Sequence, residues 1–599
     1  MSDDRPQIES FQAVTRGQNN LLDPVLLPQG QAARLLNVST RNGLCETRPP
    51  FAWAELPVQG QFQGAFAYAL ENEFRWVVVV SGQIWTRRDT DGAWTHVATF
   101  PTTDFEQAYF VQAKQYCVIQ NGIYNPGDDS RVDNWPVILD GETVIDNLEV
   151  EFLSGNERVK VKDGQDKLSI APEALRVPIG KAMAFGQGRL FVAVERIWDN
   201  GVATNTTPQW VSAGGLRSIL ASDDYGWDDP NRMFVFFEND SLSGGGAISV
   251  PAENGFITFM AFFRNAVTGT GLGELVIMSR RGSTVLAVSV PRAEWGNQGF
   301  GQQLFQTSGS SSPWAVQAVN ADLVYYGDNG LRTIKYTATN ETASGGMANV
   351  PISPEVDGFT RHTDPKFVTT ALANNYFFFT AGPMWQDNSF PAVLPWDLAN
   401  FQASFEQSNR VFSGAWTGHR FHAVLSLPGD RVGVIARPLE GGDMRIGIAD
   451  FNNKGREIVT AVQTPAYVFN APRNLKRLKY TDLMFDRVYT DLDVQVFWRC
   501  DSTGPWVGSD ARRFSVKTAP AVTGMFRVPC SADHASVGHI VEVMIVWHGH
   551  ARLKLALFFA SVLDTFSGGA EDMCRESLSL EAGAEDGPFN HPAAWRIEL

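Results

Sequence analysis

Residues 74–85 read FRWVVVVSGQIW, an apolar run of strand-forming residues followed by a serine–glycine turn and a second short apolar strand. This pattern predicts a β-hairpin. Six more runs of the same kind follow along the chain, the last two weaker than the others. They are 116–124 (YCVIQNGIY), 189–198 (RLFVAVERIW), 274–288 (ELVIMSRRGSTVLAV), 322–334 (DLVYYGDNGLRTI), 376–381 (YFFFTA) and 431–451 (RVGVIARPLEGGDMRIGIADF).

The spacing of these hairpins favours a β-propeller. Their starts lie roughly 40 to 85 residues apart, which includes the repeat length of about 40 to 50 residues known for propeller blades, and loop insertions account for the longer gaps. No single hairpin covers both of its faces, and radial stacking protects the strand edges that a flat sheet exposes. We therefore predict an all-β fold with a propeller of six or seven blades. Two or three β-sandwiches remain the alternative architecture.

The chain of 599 residues is too long for one core, so we expect at least two domains. Residues 1–463 are interpreted as the propeller with an amino-terminal anchoring segment, and residues 140–177 as a small β-insertion on a blade loop. From about residue 464 the strands become longer, as in the alternating segment 491–499 (DLDVQVFWR). Residues 464–599 are predicted to form a second β-rich domain that ends in an extended carboxy-terminal arm.

The composition excludes several classes of protein. Hydrophobic residues make up 44% of the chain and charged residues 19%, as in soluble globular proteins. The formal net charge of −16 argues against tight binding of nucleic acid, which relies on lysine and arginine. Five widely spaced cysteines without a Cys-x-x-Cys pair favour folding in a reducing cytosol. No apolar run approaches membrane-spanning length, and the first residues, MSDDRPQIES, show no signal region.

The sequence carries no recognisable motif for catalysis, nucleotide binding or metal binding, so we predict no catalytic residue, no cofactor and no metal. Residues 269–273 (GTGLG) lack the lysine of a phosphate-binding loop. The pairs His419 with His422 and His548 with His550 have no third ligand nearby in the sequence. The acidic loop 222–230 (SDDYGWDDP) does not have the spacing of a helix-loop-helix calcium site. Carboxylate pairs for glycoside hydrolysis stay open, because their separation is spatial.

The stretch 16–51, RGQNNLLDPVLLPQGQAARLLNVSTRNGLCETRPPF, opens the ordered protein. Its Asp-Pro and Leu-Pro-Gln-Gly pieces are turn chemistry. The Asn-Gly pair at 42–43 predicts that residues 36–47 fold back on themselves. The following Arg-Pro-Pro-Phe, residues 48–51, is predicted to continue as an extended segment. We expect residues 21–27 and 48–51 to anchor the first blade or its docking seam. The structural or docking candidates are Asp23, Pro24, Leu27, Pro28, Gly30, Asn37, Gly43, Arg48, Pro49, Pro50 and Phe51.

The order of these pieces resembles the start of the tail nozzle proteins of short-tailed bacteriophages, also called tail tubular protein B. The resemblance covers about 35 residues strongly, and the middle of the chain is more loosely similar to phage propeller proteins. Residues 253–259 (ENGFITF) resemble a glycine-led blade of those proteins, and 413–418 (SGAWTG) resembles their Trp-Thr-Gly turn.

The resemblance implies a structural virion protein without catalysis. Several copies, six by resemblance, would form the distal ring of the tail and line the channel for ejection of DNA into the host. The implied partners are other copies of the chain, the tail adaptor ring, tail fibre or spike proteins, and DNA in non-specific passage. The protein would be made in the host cytoplasm and reside in the virion. Two alternatives stay open: a carbohydrate-binding or carbohydrate-active propeller, favoured by 17 tryptophans, and a tail or baseplate component of a long-tailed phage.

Overall fold

A computed structural model of the chain describes residues 6–563 apart from several internal segments. The positions outside the described part are 1–5, 13, 72, 124–133, 146–176, 200–201, 214–231, 235, 237–245, 251–254, 264–273, 287–302, 306–308, 320–321, 335–350, 399–410, 456–457, 503–504, 517–524, 531–536 and 564–599. The predicted insertion therefore lies mostly outside the described residues, as do the carboxy-terminal arm from residue 564 onward, the acidic loop and the GTGLG turn.

The amino-terminal segment contributes five short strands. They are β1 (Gln7–Gln12), β2 (Arg34–Leu36), β3 (Val38–Ser39), β4 (Cys45–Thr47) and β5 (Phe51–Glu55). Two 3₁₀ turns, Pro24–Leu26 and Arg41–Gly43, separate some of them. Strands β3 and β4 pair antiparallel, so residues 36–47 do fold back, although through a longer turn than the two-residue Asn-Gly loop.

The next part of the chain forms seven consecutive antiparallel sheets within the described residues, which we call blades 1 to 7. Blade 5 has three strands there, and the other blades have four. The strands of blades 1 to 3 are β6 (Phe62–Ala69), β7 (Phe74–Val80), β8 (Gln83–Arg88), β9 (Trp94–Thr99), β10 (Tyr109–Ala113), β11 (Tyr116–Gln120), β12 (Val137–Asp140), β13 (Thr143–Ile145), β14 (Gly180–Gly186), β15 (Arg189–Asp199), β16 (Val202–Ala213) and β17 (Gly246–Ser249).

Blades 4 to 7 continue the same up-and-down order. Their strands are β18 (Ile257–Phe263), β19 (Glu274–Ser279), β20 (Gly282–Leu286), β21 (Gln303–Phe305), β22 (Val316–Val319), β23 (Asp322–Gly327), β24 (Gly330–Thr333), β25 (Thr370–Ala373), β26 (Tyr376–Ala381), β27 (Ala392–Asp397), β28 (Val411–Phe412), β29 (His419–Leu427), β30 (Arg431–Pro438) and β31 (Arg445–Ala449). The fourth strand of blade 7 is β5, which pairs with β31. Two more 3₁₀ turns, Arg232–Phe234 and Pro354–Val356, and the short helix α1 (Asp357–Thr360) lie in the connections.

The blades close into a ring through their first strands. The first strand contacts the first strand of the following blade from β6 to β10, β14 and β18, and again from β22 to β25 and β29. Blades 4 and 5 share an apolar cluster that includes Met278 and Tyr325. Strand β29 of blade 7 contacts β6 of blade 1, which completes the circle. The predicted all-β propeller is confirmed, and each of the seven apolar runs begins at the first residue of the second strand of one blade.

The remaining strands build a β-sandwich of two sheets. Its carboxy-terminal strands are β32 (Val459–Gln463), β33 (Leu475–Val488), β34 (Leu492–Cys500), β35 (Val507–Gly508), β36 (Arg512–Phe514), β37 (Met525–Pro529), β38 (Val541–His548) and β39 (Ala551–Leu563). One sheet has the order β3-β4-β39-β33-β37, with β1 also paired to β39. The other has the order β2-β32-β38-β34-β35, with β36 also paired to β34. Trp498 and Trp547 are fully buried in the core between the sheets.

This topology differs from the predicted division at residues 463 and 464. The amino-terminal strands β1 to β4 belong to the sandwich, and so does β32, whereas only β5 joins the propeller. The predicted division assigns the amino-terminal segment to the propeller as its anchoring segment. Pairing between strands more than 400 residues apart leaves no local pattern in a sequence, because only the folded topology brings their edges together.

Candidate functional site

The site with the densest set of specific contacts lies where the sandwich meets the propeller, and its centre is Asn37. The chain steps at this residue from β2 in one sheet of the sandwich to β3 in the other. Asn37 has a φ of 55°, a left-handed conformation that asparagine tolerates better than most residues. The corner lies beside the turn 413–418, which connects blades 6 and 7. We call this region the junction.

The side chain of Asn37 makes four hydrogen bonds and is 6% exposed. Its Nδ2 donates to the Val459 carbonyl at 2.8 Å and to Thr417 Oγ1 at 3.1 Å. Its Oδ1 accepts from the Thr417 backbone N–H at 2.8 Å and from Arg48 Nε at 2.8 Å. An amide side chain has two donor hydrogens and two acceptor lone pairs. Asn37 therefore uses its full capacity to connect the amino-terminal segment, the propeller and β32.

Arg48 is the second member of the junction, and its guanidinium is buried without a carboxylate partner among the described residues. The residue is 4% exposed. Besides Asn37, it donates to the Pro49 carbonyl at 2.9 Å and to the Thr417 carbonyl at 3.4 Å. Its Cζ lies 4.7 Å from the ring centroid of Phe51. Burial lowers the pKa of Arg48, but neutral oxygens and an aromatic face stabilise the charged form at physiological pH.

Backbone pairing explains why the amino-terminal segment follows the turn 413–418 so closely. The Asn37 N–H donates to the Ala415 carbonyl at 2.8 Å, and the Gly414 N–H donates to the Val38 carbonyl at 2.8 Å. A Cβ on Gly414 would lie 2.8 Å from the Val38 nitrogen, so only glycine permits this approach. The backbone hydrogen bonds at the junction thus form a short ladder between the sandwich and the propeller.

A charge network extends the junction toward the sandwich, with Glu46 of β4 at its centre. Lys454, from the segment that links the propeller to the sandwich, approaches Glu46 at 3.0 Å, and Arg552 of β39 approaches it at 2.8 Å. The buried His550 Nε2 lies 3.5 Å away. Burial raises the pKa of Glu46, but the interactions with His550, Lys454 and Arg552 outweigh it and lower the pKa to about 2.

We expect Glu46→Gln to lower the free energy of unfolding at pH 7 by about 1–3 kcal/mol. The pKa of Glu46 is depressed in the folded state from an ordinary value of 4.5 to about 2. Its stabilisation is therefore complete above pH 4.5 and is lost as the pH falls toward 2. Urea unfolding at several pH values measures the effect, and the variant should lose less stability than wild type between pH 5 and 3. Glu106→Gln is the control, because this carboxylate is 65% exposed beside Lys366; equal acid limbs for E46Q and wild type would contradict the prediction.

A cavity of about 210 Å³ lies next to the junction. Its wall combines charged and aromatic side chains from the amino-terminal hairpin, blade 6 and the linker. Arg41 donates to the Asn374 carbonyl at 2.7 Å, and its Cζ lies 4.1 Å from the Tyr376 ring centroid. Arg41 therefore already has partners within the protein, and we interpret the cavity as a packing gap between the sandwich and the propeller.

The structure brings some of the predicted site residues together and separates others. Asn37, Arg48 and Phe51 meet at the junction, and Pro49 and Pro50 connect them to β5. Asp23 accepts a hydrogen bond from the Val25 N–H at the start of the 3₁₀ turn that contains Pro24, and Leu27 and Pro28 follow this turn. Gly30 and Gly43 lie in other turns, with φ values of 87° and 75°. These residues lie outside the junction.

The loop 21–27 sits beside the sandwich, where the Ala466 N–H donates to the Pro24 carbonyl at 3.0 Å. Four of its apolar side chains are solvent exposed: Leu21 at 50%, Leu22 at 39%, Val25 at 41% and Leu26 at 68%. Clustered exposed apolar side chains such as these mark contact surfaces for other proteins. Segment 48–51, in contrast, leads into blade 7.

Sequence reasoning missed several members of the junction. Trp416 and Thr417 lie in the turn that was noted for its resemblance, but the turn itself carried no sign that it meets Asn37 and Arg48. Glu46 was not selected, and its partners Lys454 and Arg552 lie more than 400 residues away. A lone carboxylate on a short strand was the only available signal.

His419 and His422 lie against different aromatic rings. The ring centroid of His419 is 4.6 Å from that of Trp53, and the ring centroid of His422 is 5.4 Å from that of Phe62. Across the described residues, no group of three or more His, Cys, Asp or Glu side chains is placed to hold a metal ion. Among the helices that the structure describes, none is long and apolar enough to span a membrane.

No family model and no curated protein sequence matches this chain. Solved structures with a similar arrangement include a catalytically inactive virginiamycin B lyase from Staphylococcus aureus with quinupristin, at 10% identity and a TM-score of 0.35, covering 67% of this chain and 99% of that one. Another is the Cps50 (Swd1) β-propeller domain of Myceliophteria thermophila, at 8% identity and a TM-score of 0.30, covering 66% and 99%. These values carry no argument about function.

The ring of seven blades defines the class: the chain is an all-β protein of β-propeller architecture. Within that class its particular feature is a sandwich that both ends of the described chain build together.

Proposed function

We propose that the protein is a structural subunit of a phage tail, the nozzle ring through which DNA leaves the virion. One observation carries this proposal: Asn37 and Arg48, which lie in the stretch that resembles tail nozzle proteins, join the propeller to the sandwich together with Phe51. Fully used hydrogen bonds and a buried cation between two bodies are suited to fixing their relative position. A ring subunit needs such rigidity, because small angular errors prevent closure.

The proposed assembly is a ring of identical copies, six by resemblance, that docks on an adaptor ring and bears fibre or spike proteins. A closed ring requires one surface of each copy to bind a different surface of the next. The exposed apolar loop 21–26 favours such a protein contact. The net charge of −16 supports a channel wall to which DNA does not adhere. The role requires no catalysis.

Negative-stain electron microscopy of the purified protein, alone and with portal and adaptor proteins, tests the proposal. We expect rings with a central hole, and we expect Leu26→Asp to reduce ring formation while circular dichroism stays unchanged. Glu106→Gln, at a distant exposed ion pair, serves as the control. Particles that remain monomeric under all these conditions and hydrolyse oligosaccharides would reject the structural role.

A second candidate, binding of carbohydrate, is favoured by one cavity of about 250 Å³ on the face of the sandwich that packs toward the propeller. Phe497 and Trp506 line it together with Gln463. An aromatic face with polar side chains at its edge suits a sugar ring. Glycan-array binding that is lost in Trp506→Ala would favour this candidate over the nozzle.

A further inference from the structure

Two arginines face each other directly on blade 7. Arg420 of β29 and Arg437 of β30 are register partners, so they share one face of the sheet. Neither forms an ion pair with a carboxylate in the described part of the chain. Arg431, on the same strand as Arg437, does pair, with Asp89 at 2.7 Å. Like charges directly opposite each other destabilise a sheet. The placement of Arg420 opposite Arg437, without an ion pair in the described residues, therefore requires an explanation.

Both guanidinium groups are held in place by neutral partners. The Cζ of Arg420 lies 3.5 Å from the ring centroid of Trp385, in the loop between β26 and β27. Arg437 Nη2 donates to the Gly60 carbonyl at 2.7 Å. The Nε atoms of both arginines are buried and have no hydrogen-bond partner among the described residues. Fixed side chains lose little conformational freedom when they bind a ligand.

A buried histidine and one carboxylate complete the surroundings. His422 is 2% exposed, and neither of its ring nitrogens has a hydrogen-bond partner in the part of the molecule described. Its Nε2 lies 3.8 Å from Asp387 Oδ2. Burial, together with the positive charges of Arg437 and Arg420, lowers the pKa of His422 to about 4, against the opposing effect of Asp387. At neutral pH the histidine is uncharged, so two arginines stand against a single carboxylate.

We propose that Arg420 and Arg437 form a binding site for a phosphate group, which we call the blade 7 anion site. A phosphate group carries a charge of about −1.5 to −2 at pH 7 and several acceptor oxygens. Its oxygens can accept hydrogen bonds from both guanidinium groups. A ligand carboxylate has only two oxygens to offer the same two groups. The site does not depend on the proposed structural role.

Calorimetric titration of the full chain with inorganic phosphate at low ionic strength tests this site. We expect saturable binding with a dissociation constant near or below about 1 mM. Arg420→Gln and Arg437→Gln should each weaken binding about tenfold, since each removes hydrogen bonds to a charged group, and the double variant should not bind. Arg431→Gln is the matched control on the same strand and should bind as wild type does. Thermal unfolding without phosphate verifies that each variant is folded.

Two further titrations distinguish the source of the phosphate and its chemistry. A short single-stranded oligonucleotide that binds with the same dependence on Arg420 and Arg437, and more tightly than inorganic phosphate, identifies a nucleic acid backbone as the source. Tighter binding of inorganic phosphate identifies a free phosphate. Acetate that binds as well as phosphate overturns the proposal, and so does phosphate binding that persists in the folded double variant or is absent from the wild type.

Discussion

Asn37→Ala is expected to lower the free energy of unfolding by about 4 kcal/mol. The substitution removes all four side-chain hydrogen bonds of Asn37 and leaves the buried Arg48 guanidinium without its nearest acceptor. An alanine in the left-handed conformation adds about 1 kcal/mol. Urea unfolding followed by tryptophan fluorescence measures the loss. Because the junction couples propeller and sandwich, we also expect the single transition to separate into two.

Asn375→Ala is the matched control for this experiment. Asn375 has the same φ of 55° in the turn between β25 and β26, and it is solvent exposed, although its neighbour Asn374 contacts Arg41 beside the junction. Its replacement should cost only the backbone term of about 1 kcal/mol. If the two variants are equally stable, the hydrogen bonds of Asn37 do not hold the propeller and the sandwich together, which would contradict the prediction.

Trp76→Ala is expected to lower the free energy of unfolding by about 3–5 kcal/mol. Trp76 of β7 is fully buried at the seam between blades 1 and 7, in a cluster with Ile435 and Met444. The blade 7 strand opposite it contains Gly433, where a Cβ would lie 2.3 Å from Trp76 Cη2. The indole therefore fills space that glycine leaves open at the closing seam of the ring. Its removal leaves a cavity that a ring of stacked sheets cannot collapse without shifting whole blades.

Two comparisons test the role of this seam. Trp94→Ala, on the same blade, should cost about 1 kcal/mol, because its indole is partly exposed and its Nε1 donates to the Glu55 carbonyl at 3.1 Å. Gly433→Ala should be strongly destabilising in the wild type and much less so in Trp76→Ala, since the clash disappears with the indole. Additive losses for the two substitutions would show that the indole and the glycine do not depend on each other.

The expected and observed structures agree best where a signal is local. The run FRWVVVV begins at Phe74, which is also where β7 begins, and all seven residues of that strand are buried. A continuous apolar run followed by a turn suffices to predict a strand, because apolar residues at successive positions indicate that both faces of the strand are buried. Seven such runs determined the propeller, although the exact number of blades was open between six and seven.

The domain division was less accessible, because it depends on which distant strands pair. Strand β2 pairs with β32 through Leu35 and Val462, and β4 pairs with β39 through Cys45 and Leu553. Nothing in the stretch 16–51 signals these partners. The longer strands predicted from about residue 464 do lie in the sandwich, but the sandwich also includes β32 and the amino-terminal strands.

The sequence by itself determined the β-class and the repeated blades, since apolar runs and turn residues act over a few positions. Only the tertiary structure decided that Asn37 bonds to Thr417 and that Glu46 meets Lys454 and Arg552. Hydrogen bonds and charges between segments hundreds of residues apart depend on three-dimensional distance, which the order of residues along a chain does not contain.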